Sequence, residues 1–210
     1  MPKVIEILII YAILIFSVVC HELGHAYVAL INGDPTARNM GRLTFNPLKH
    51  LDLFGSFILP LLLYFTVGFA FGYAKPVPIN TRLFRNYKHG LLTTSVAGVL
   101  MNFTLAFFGV ALFRTIASFS PPSTLPFYIL RFVLLHVVYI NVLLGFFNIL
   151  PLPPLDGWHV VESLVPSNYA VMMKKVEPYS IIVFAVAIYF GLFYYVFIPI
   201  QFIVNFLLFS

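Results

Sequence analysis

The chain has one cysteine, Cys20, among 210 residues. No internal disulfide can form, and no cage of thiolates can hold a metal. Charge is also scarce. Asp, Glu, Lys and Arg make up 9% of the sequence, where soluble globular chains carry about a quarter. Only seven residues are acidic: Glu6, Glu22, Asp34, Asp52, Asp156, Glu162 and Glu177. Any carboxylate chemistry must come from that set. There is no tandem repeat, no low-complexity tract and no polar run long enough for a separate soluble domain. No signal peptide is expected either, because the apolar N-terminal run continues past His25 without a small-residue cleavage site.

Apolar residues are abundant: 61% of the chain is hydrophobic, with 24 Phe and 12 Tyr. A chain of this size cannot hide so much apolar surface in one soluble core, so the sequence predicts an integral membrane protein in a lipid bilayer. The formal net charge of +5 does not imply a nucleic-acid partner. The basic residues lie between apolar runs rather than along one segment, where they set orientation instead.

The expected fold is an all-α polytopic membrane protein, a single integral membrane domain over residues 1–210 with its core in 4–165. Apolar runs at 4–31, 91–113 and 127–150 are long enough to cross about 30 Å of hydrocarbon. Residues 158–177 read as a short amphipathic stretch. Residues 179–209 are apolar again, with Pro199 expected to kink or split them. Seven of the 12 Lys and Arg fall in 36–54 and 74–90, which puts both segments on the cytoplasmic side. The apolar run between them, 55–73, then dips into the membrane and returns as a re-entrant or strand-like segment. With 74–80 it could offer an edge for an extended peptide to pair with. This topology makes helices 4–31 and 127–150 run in the same direction.

Two places carry chemistry. In His21-Glu22-Leu23-Gly24-His25 the imidazoles stand four residues apart, on one face of a helix, and can bind one ion. Glu22, beside the first of them, can take the proton of a metal-activated water. A carboxylate deep in an apolar span is costly and marks function by default. Cys20 points about 100° away from His21 on the helix and reads as a buried apolar thiol. Two imidazoles leave a catalytic zinc short of one protein ligand. Among the acidic residues, Asp156 alone follows a span directly, in a proline-rich break beside Gly157 that can turn a side chain into a cavity. Asn102 and Asn148 are buried amides, read either as groups for the substrate backbone or oxyanion or as helix–helix contacts. His50, His89, His136 and His159 read as structural, with His159 nearest Asp156 in sequence.

These motifs together resemble those of the site-2 protease family of intramembrane zinc metalloproteases, peptidase family M50. Its members pair a His-Glu-x-x-His helix with a later segment of the kind seen in Asn148-Ile149-Leu150-Pro151-Leu152-Pro153-Pro154-Leu155-Asp156-Gly157. Gly98-Val99-Leu100-Met101-Asn102 matches the small-residue and Asn motif of the helix between them. Lys75-Pro76-Val77-Pro78 and Asn46-Pro47-Leu48-Lys49-His50 are similar to segments of the compact members. The resemblance implies three core helices, here 4–31, 91–113 and 127–165, and one zinc ion on His21, His25 and Asp156. It also implies Glu22 as the general base, and substrates that are themselves transmembrane segments. The chain has room for neither a PDZ nor a CBS domain, so regulation is expected from its own loops or from a membrane partner. A prokaryotic cytoplasmic membrane, with the site toward the cytoplasm, is the expected location. The competing reading is a membrane metal transporter or another metal-binding membrane protein.

Overall fold

The computed structural model describes residues 1–58, 62, 75–119 and 124–209. Helix α1 (Lys3–Ile31) follows Pro2, whose extended backbone starts it, and ends at Asn32 and Gly33, the latter at φ +110°. A one-turn helix α2 (Thr36–Asn39) follows. Helix α3 (Tyr87–Phe119) and helix α4 (Leu125–Asn148) complete three elements long and apolar enough to cross a membrane. Four shorter helices follow: α5 (Asp156–Leu164), α6 (Ser167–Val176), α7 (Ser180–Tyr189) and α8 (Leu192–Phe209). The described residues contain no strand.

The expected all-α membrane architecture is present, with adjusted boundaries. The second span is longer than 91–113, because the polar start of α3 continues the same helix. The third core element is not one helix over 127–165. It breaks between Asn148 and Asp156, where four of the seven residues from 149 to 155 are Leu or Ile and three are Pro. Proline there removes donors and blocks the preceding turn. The amphipathic stretch 158–177 is likewise two helices, separated at Val165-Pro166. Pro199 does not split the last segment, because it lies inside α8. The break falls at Gly191, whose φ of +70° a residue with a side chain rarely adopts.

Helix packing sets the depth of the site. His25 meets Thr94 and His21 meets Asn102, so α1 and α3 run antiparallel. Asn102 meets Asn141, while Arg131 lies over Phe113. Thus α3 and α4 are antiparallel and α1 and α4 parallel, as the charge distribution required. An apolar core joins α3, α4 and α8 through Ala106, Phe113, Leu134, Val138, Val142, Ile200 and Val204. On the outside, large side chains such as Ile7, Phe16, Phe107 and Phe202 stay exposed, as a lipid-facing surface does.

The segment between α2 and α3 returns to the face it left. Lys75 N–H donates to His50 O at 2.9 Å, and Arg85 N–H to Asn32 O at 2.9 Å. Tyr11, in the first half of α1, donates its hydroxyl to Ser56 O at 2.7 Å, which puts the start of the excursion against that half of the helix. The expected re-entrant path over 55–73 otherwise lies almost wholly outside the described residues. The expected pairing edge has few N–H groups to offer over 75–78. Pro76 and Pro78 have no N–H, Lys75 N–H is bonded to His50, and Val77 N–H donates to Glu22 Oε2.

Candidate metal centre and active site

The helical spacing of His21 and His25 brings their Nε2 atoms to 2.9 Å from each other. The start of α5 delivers Asp156 onto them. Its Oδ2 lies 3.1 Å from His21 Nε2, and its Oδ1 lies 3.2 Å from His25 Nε2. The three side chains form a group whose ligand atoms all fall within 4.8 Å. Both imidazoles are buried, at 7% and 6% exposure. Asp156 reaches them from 131 residues beyond His25 in the chain.

The hydrogen-bond network decides which ring nitrogens carry protons. Asn141 Nδ2 donates to the carbonyl of Val137, which can only accept, and to Ser17 Oγ. That fixes Asn141 Oδ1 toward Asn102, whose Nδ2 donates to it at 2.9 Å. Asn102 Oδ1 is thereby left facing His21 Nδ1 at 2.6 Å. As an acceptor it requires the proton on Nδ1. His25 Nδ1 likewise lies 2.7 Å from Thr94 O and carries its proton there. Both Nε2 atoms therefore present lone pairs to each other and to a carboxylate. Asp156 Oδ2 is buried, and its approach to His21 lacks hydrogen-bond geometry. Two lone pairs and an anion converging at this range repel unless a cation lies among them. The set of two imidazoles and one carboxylate is that of a catalytic zinc with an open position.

Packing is tight where these three side chains meet their neighbours. A Cβ added at Gly98 would strike the Nε2 of His25 and lie 2.6 Å from Cε1 of each imidazole. One added at Gly157 would fall on the carbonyl oxygens of Ile149 and Leu150.

Glu22, next to His21, faces a cavity of about 600 Å³ that the two imidazoles, Asp156 and Asn148 also line. A larger groove of about 910 Å³ runs between α1 and α3. It is apolar, and none of His21, Glu22, His25 or Asp156 lines it, so the chemistry belongs to the smaller, polar cavity. Asn148 donates to Leu144 O of its own helix and stands at the cavity wall. Asn102 is fully buried, and its amide is occupied by His21 and Asn141. Its contacts join α1, α3 and α4, the helix–helix role that was one of its two readings.

The remaining histidines lie apart from the three-residue group. His50 is fully buried with Nε2 2.9 Å from Thr44 O, and His136 meets Phe132 O of its own helix. His89 is exposed at the start of α3. His159 lines the cavity but turns to Glu162, at 3.2 Å. Cys20 is buried and free. The sequence reading missed the cluster at the cavity mouth, where the buried Glu162 accepts from Tyr87 at 2.8 Å and pairs with Lys174 at 3.4 Å. Contact with the Tyr87 hydroxyl, and then the Glu162 charge, raises the Lys174 pKa above its ordinary value.

The comparisons with known proteins agree with this geometry. The profile of peptidase family M50 matches residues 115–192, which contain Asp156 but not the histidine helix. YwhC of Bacillus subtilis (strain 168), which carries the name of a zinc metalloprotease, is 40% identical over 181 residues. That alignment covers 82% of this chain and 76% of YwhC. The chain belongs to peptidase family M50. Rip2 of Mycolicibacterium smegmatis (strain ATCC 700084 / mc(2)155), also named as a zinc metalloprotease, is 30% identical over 148 residues, 70% of this chain and 54% of Rip2. No solved structure matches. This M50 peptidase is accordingly a membrane-embedded zinc metalloprotease of the site-2 type, which decides against the transporter reading.

One prediction arises from the buried amides. Asn102→Leu removes the acceptor that holds His21 Nδ1–H and leaves Asn141 Oδ1 without its donor. Loss of such an orienting contact lowers metal affinity about 10- to 100-fold. Competition with a calibrated zinc chelator should show that drop while the protein stays helical by circular dichroism.

Proposed function

We infer that the protein is an intramembrane endopeptidase that cuts transmembrane segments of other membrane proteins, as in regulated intramembrane proteolysis. In this reading His21, His25 and Asp156 hold zinc and Glu22 is the general base. The observation that carries it is the convergence of two proton-free imidazole nitrogens and a part-buried carboxylate on one point, beside a second carboxylate in a polar cavity. Bound zinc would acidify a water and polarise the scissile carbonyl.

The protein's own residues do the rest. Glu22 takes the proton from the attacking water and delivers it to the leaving amine. Asn102 and the Thr94 carbonyl hold both imidazoles in the Nδ1–H tautomer, so that their Nε2 lone pairs stay turned inward. Asn148, at the cavity wall, is placed to hydrogen-bond the substrate backbone or its developing oxyanion. A helical peptide has its carbonyls tied up, so the cut segment must be extended at the site. The orientation read from the charges puts the cavity toward the cytoplasm of a prokaryotic cell. Residues 1–210 act as one domain, regulated by its own loops or by a membrane partner.

The test is cleavage of a designed single-span helix, broken by Gly and Pro near its cytoplasmic end, in liposomes. Wild type is expected to cut it inside the span. Glu22→Gln should lower the rate by about 10²- to 10⁴-fold with zinc content unchanged. Undiminished cutting by the Gln variant would contradict the assignment of the base.

A further inference from the structure

Glu22 would need a fixed position to serve as a base, yet it opens onto a cavity of about 600 Å³. A carboxylate on a flexible side chain in such a space samples several rotamers. Among the described residues, one hydrogen bond reaches it: Val77 N–H donates to Oε2 at 2.7 Å. That leaves Oε1 for the water.

The donor sits in an extended strap, residues 75–80, and the sequence of the strap isolates it. In Lys75-Pro76-Val77-Pro78 both neighbours of Val77 are prolines, which have no N–H. Between 76 and 78 the strap therefore has one amide hydrogen, and it is aimed at Glu22. Several further hydrogen bonds tie the strap to the loop 32–50. Lys75 N–H donates to His50 O at 2.9 Å. Arg42, only 8% exposed, donates one amino group to the carbonyls of Lys75 at 2.9 Å and Pro76 at 3.3 Å. Asn80 N–H donates to Asp34 Oδ2 at 2.6 Å, and Asp34 is 1% exposed. The other Asp34 oxygen accepts from Thr36 N–H at 2.9 Å and from the Thr36 hydroxyl. The Val77 side chain is itself buried against Ala26 and Ala37. The strap is thus anchored at both ends and along its carbonyl side.

We propose that this proline-flanked strap is a positioning device, in which the Val77 backbone N–H holds the catalytic base Glu22 in its working rotamer, with Arg42 and Asp34 fixing the strap. The proposal rests on the reading of Glu22 as the base. It predicts that removing one hydrogen atom, without changing any side chain, slows the chemistry. Misplacement of a reacting group by about 1 Å can cost roughly 10²-fold in rate.

The test replaces Val77 in the full-length, zinc-loaded protein by its α-hydroxy analogue, introduced by nonsense suppression. This converts the amide to an ester and deletes the N–H alone. With the designed single-span helix as probe, kcat is expected to fall about 10²-fold, while KM and bound zinc per chain stay at wild-type values. The Leu48 ester, made the same way, removes an N–H that bonds only the Asn46 side chain in an exposed loop, and should keep kcat. A substrate-free arm follows the infrared carboxylate band of Glu22, identified by subtracting the Glu22→Gln spectrum. It should shift in the Val77 ester and stay in the Leu48 ester. A Val77 ester with unchanged kcat, an equal loss in the Leu48 ester, loss of zinc in the Val77 ester, or an unmoved infrared band would each overturn the proposal. If wild type itself does not cut the probe, the functional reading fails instead, and the infrared arm still decides the contact.

Discussion

Gly98→Ala is expected to abolish zinc binding and proteolysis by adding a single methyl group. The added carbon would lie 2.6 Å from Cε1 of both His21 and His25, and against the Nε2 of His25. Those atoms belong to the proposed ligands themselves. Neither ring can retreat without breaking the bond to Asn102 or to Thr94 that fixes its tautomer. Overpacking of a filled interior costs about 1–3 kcal/mol, which the three-helix body can absorb. The metal geometry has no such tolerance. The measurement is zinc per chain with circular dichroism on the same sample. The expected outcome is a helical protein nearly free of zinc. Full zinc occupancy in the Ala variant would show that the ligands lie elsewhere.

Gly157→Ala should strike the third ligand through the backbone. A Cβ there would fall on the carbonyl oxygens of Ile149 and Leu150 and lie 2.5 Å from the Ile149 carbonyl carbon. Backbone cannot swing aside as a side chain can, so α5 must shift away from the end of α4 and carry Asp156 with it. The expected result is a loss of about 1–3 kcal/mol in stability together with weakened zinc retention against a chelator. The two variants differ in a checkable way. Added zinc should rescue part of the Gly157→Ala activity, because both imidazoles stay in place, and none of the Gly98→Ala activity.

Much of this site was legible in the sequence for physical reasons that do not depend on the fold. Two histidines four apart share a helix face, a glutamate inside an apolar run must be accounted for, and the short supply of acidic residues singles out Asp156. The three spans followed from length and hydropathy. What was not legible is the shell around the ligands. The partner of His25 is the Thr94 carbonyl, and a backbone group leaves no signature in residue type. The path from Val137 through Asn141 and Asn102 to His21 joins three helices, and an Asn in a span reads equally well as a helix–helix contact. The Glu162, Tyr87 and Lys174 cluster likewise exists only once α3, α5 and α6 have packed. The misplaced break in the C-terminal segment has its own cause. A proline such as Pro199 is tolerated within a membrane helix, whereas Gly191 supplies a backbone angle that ends one.

The central claim is that His21, His25 and Asp156 together hold one zinc ion, and elemental mass spectrometry of purified protein tests it most directly. Wild type should carry about one zinc per chain, the occupancy of a single catalytic site. Asp156→Ala should lose most of it while remaining folded. Zinc retained in full without Asp156 would contradict the account and place the third ligand on another residue.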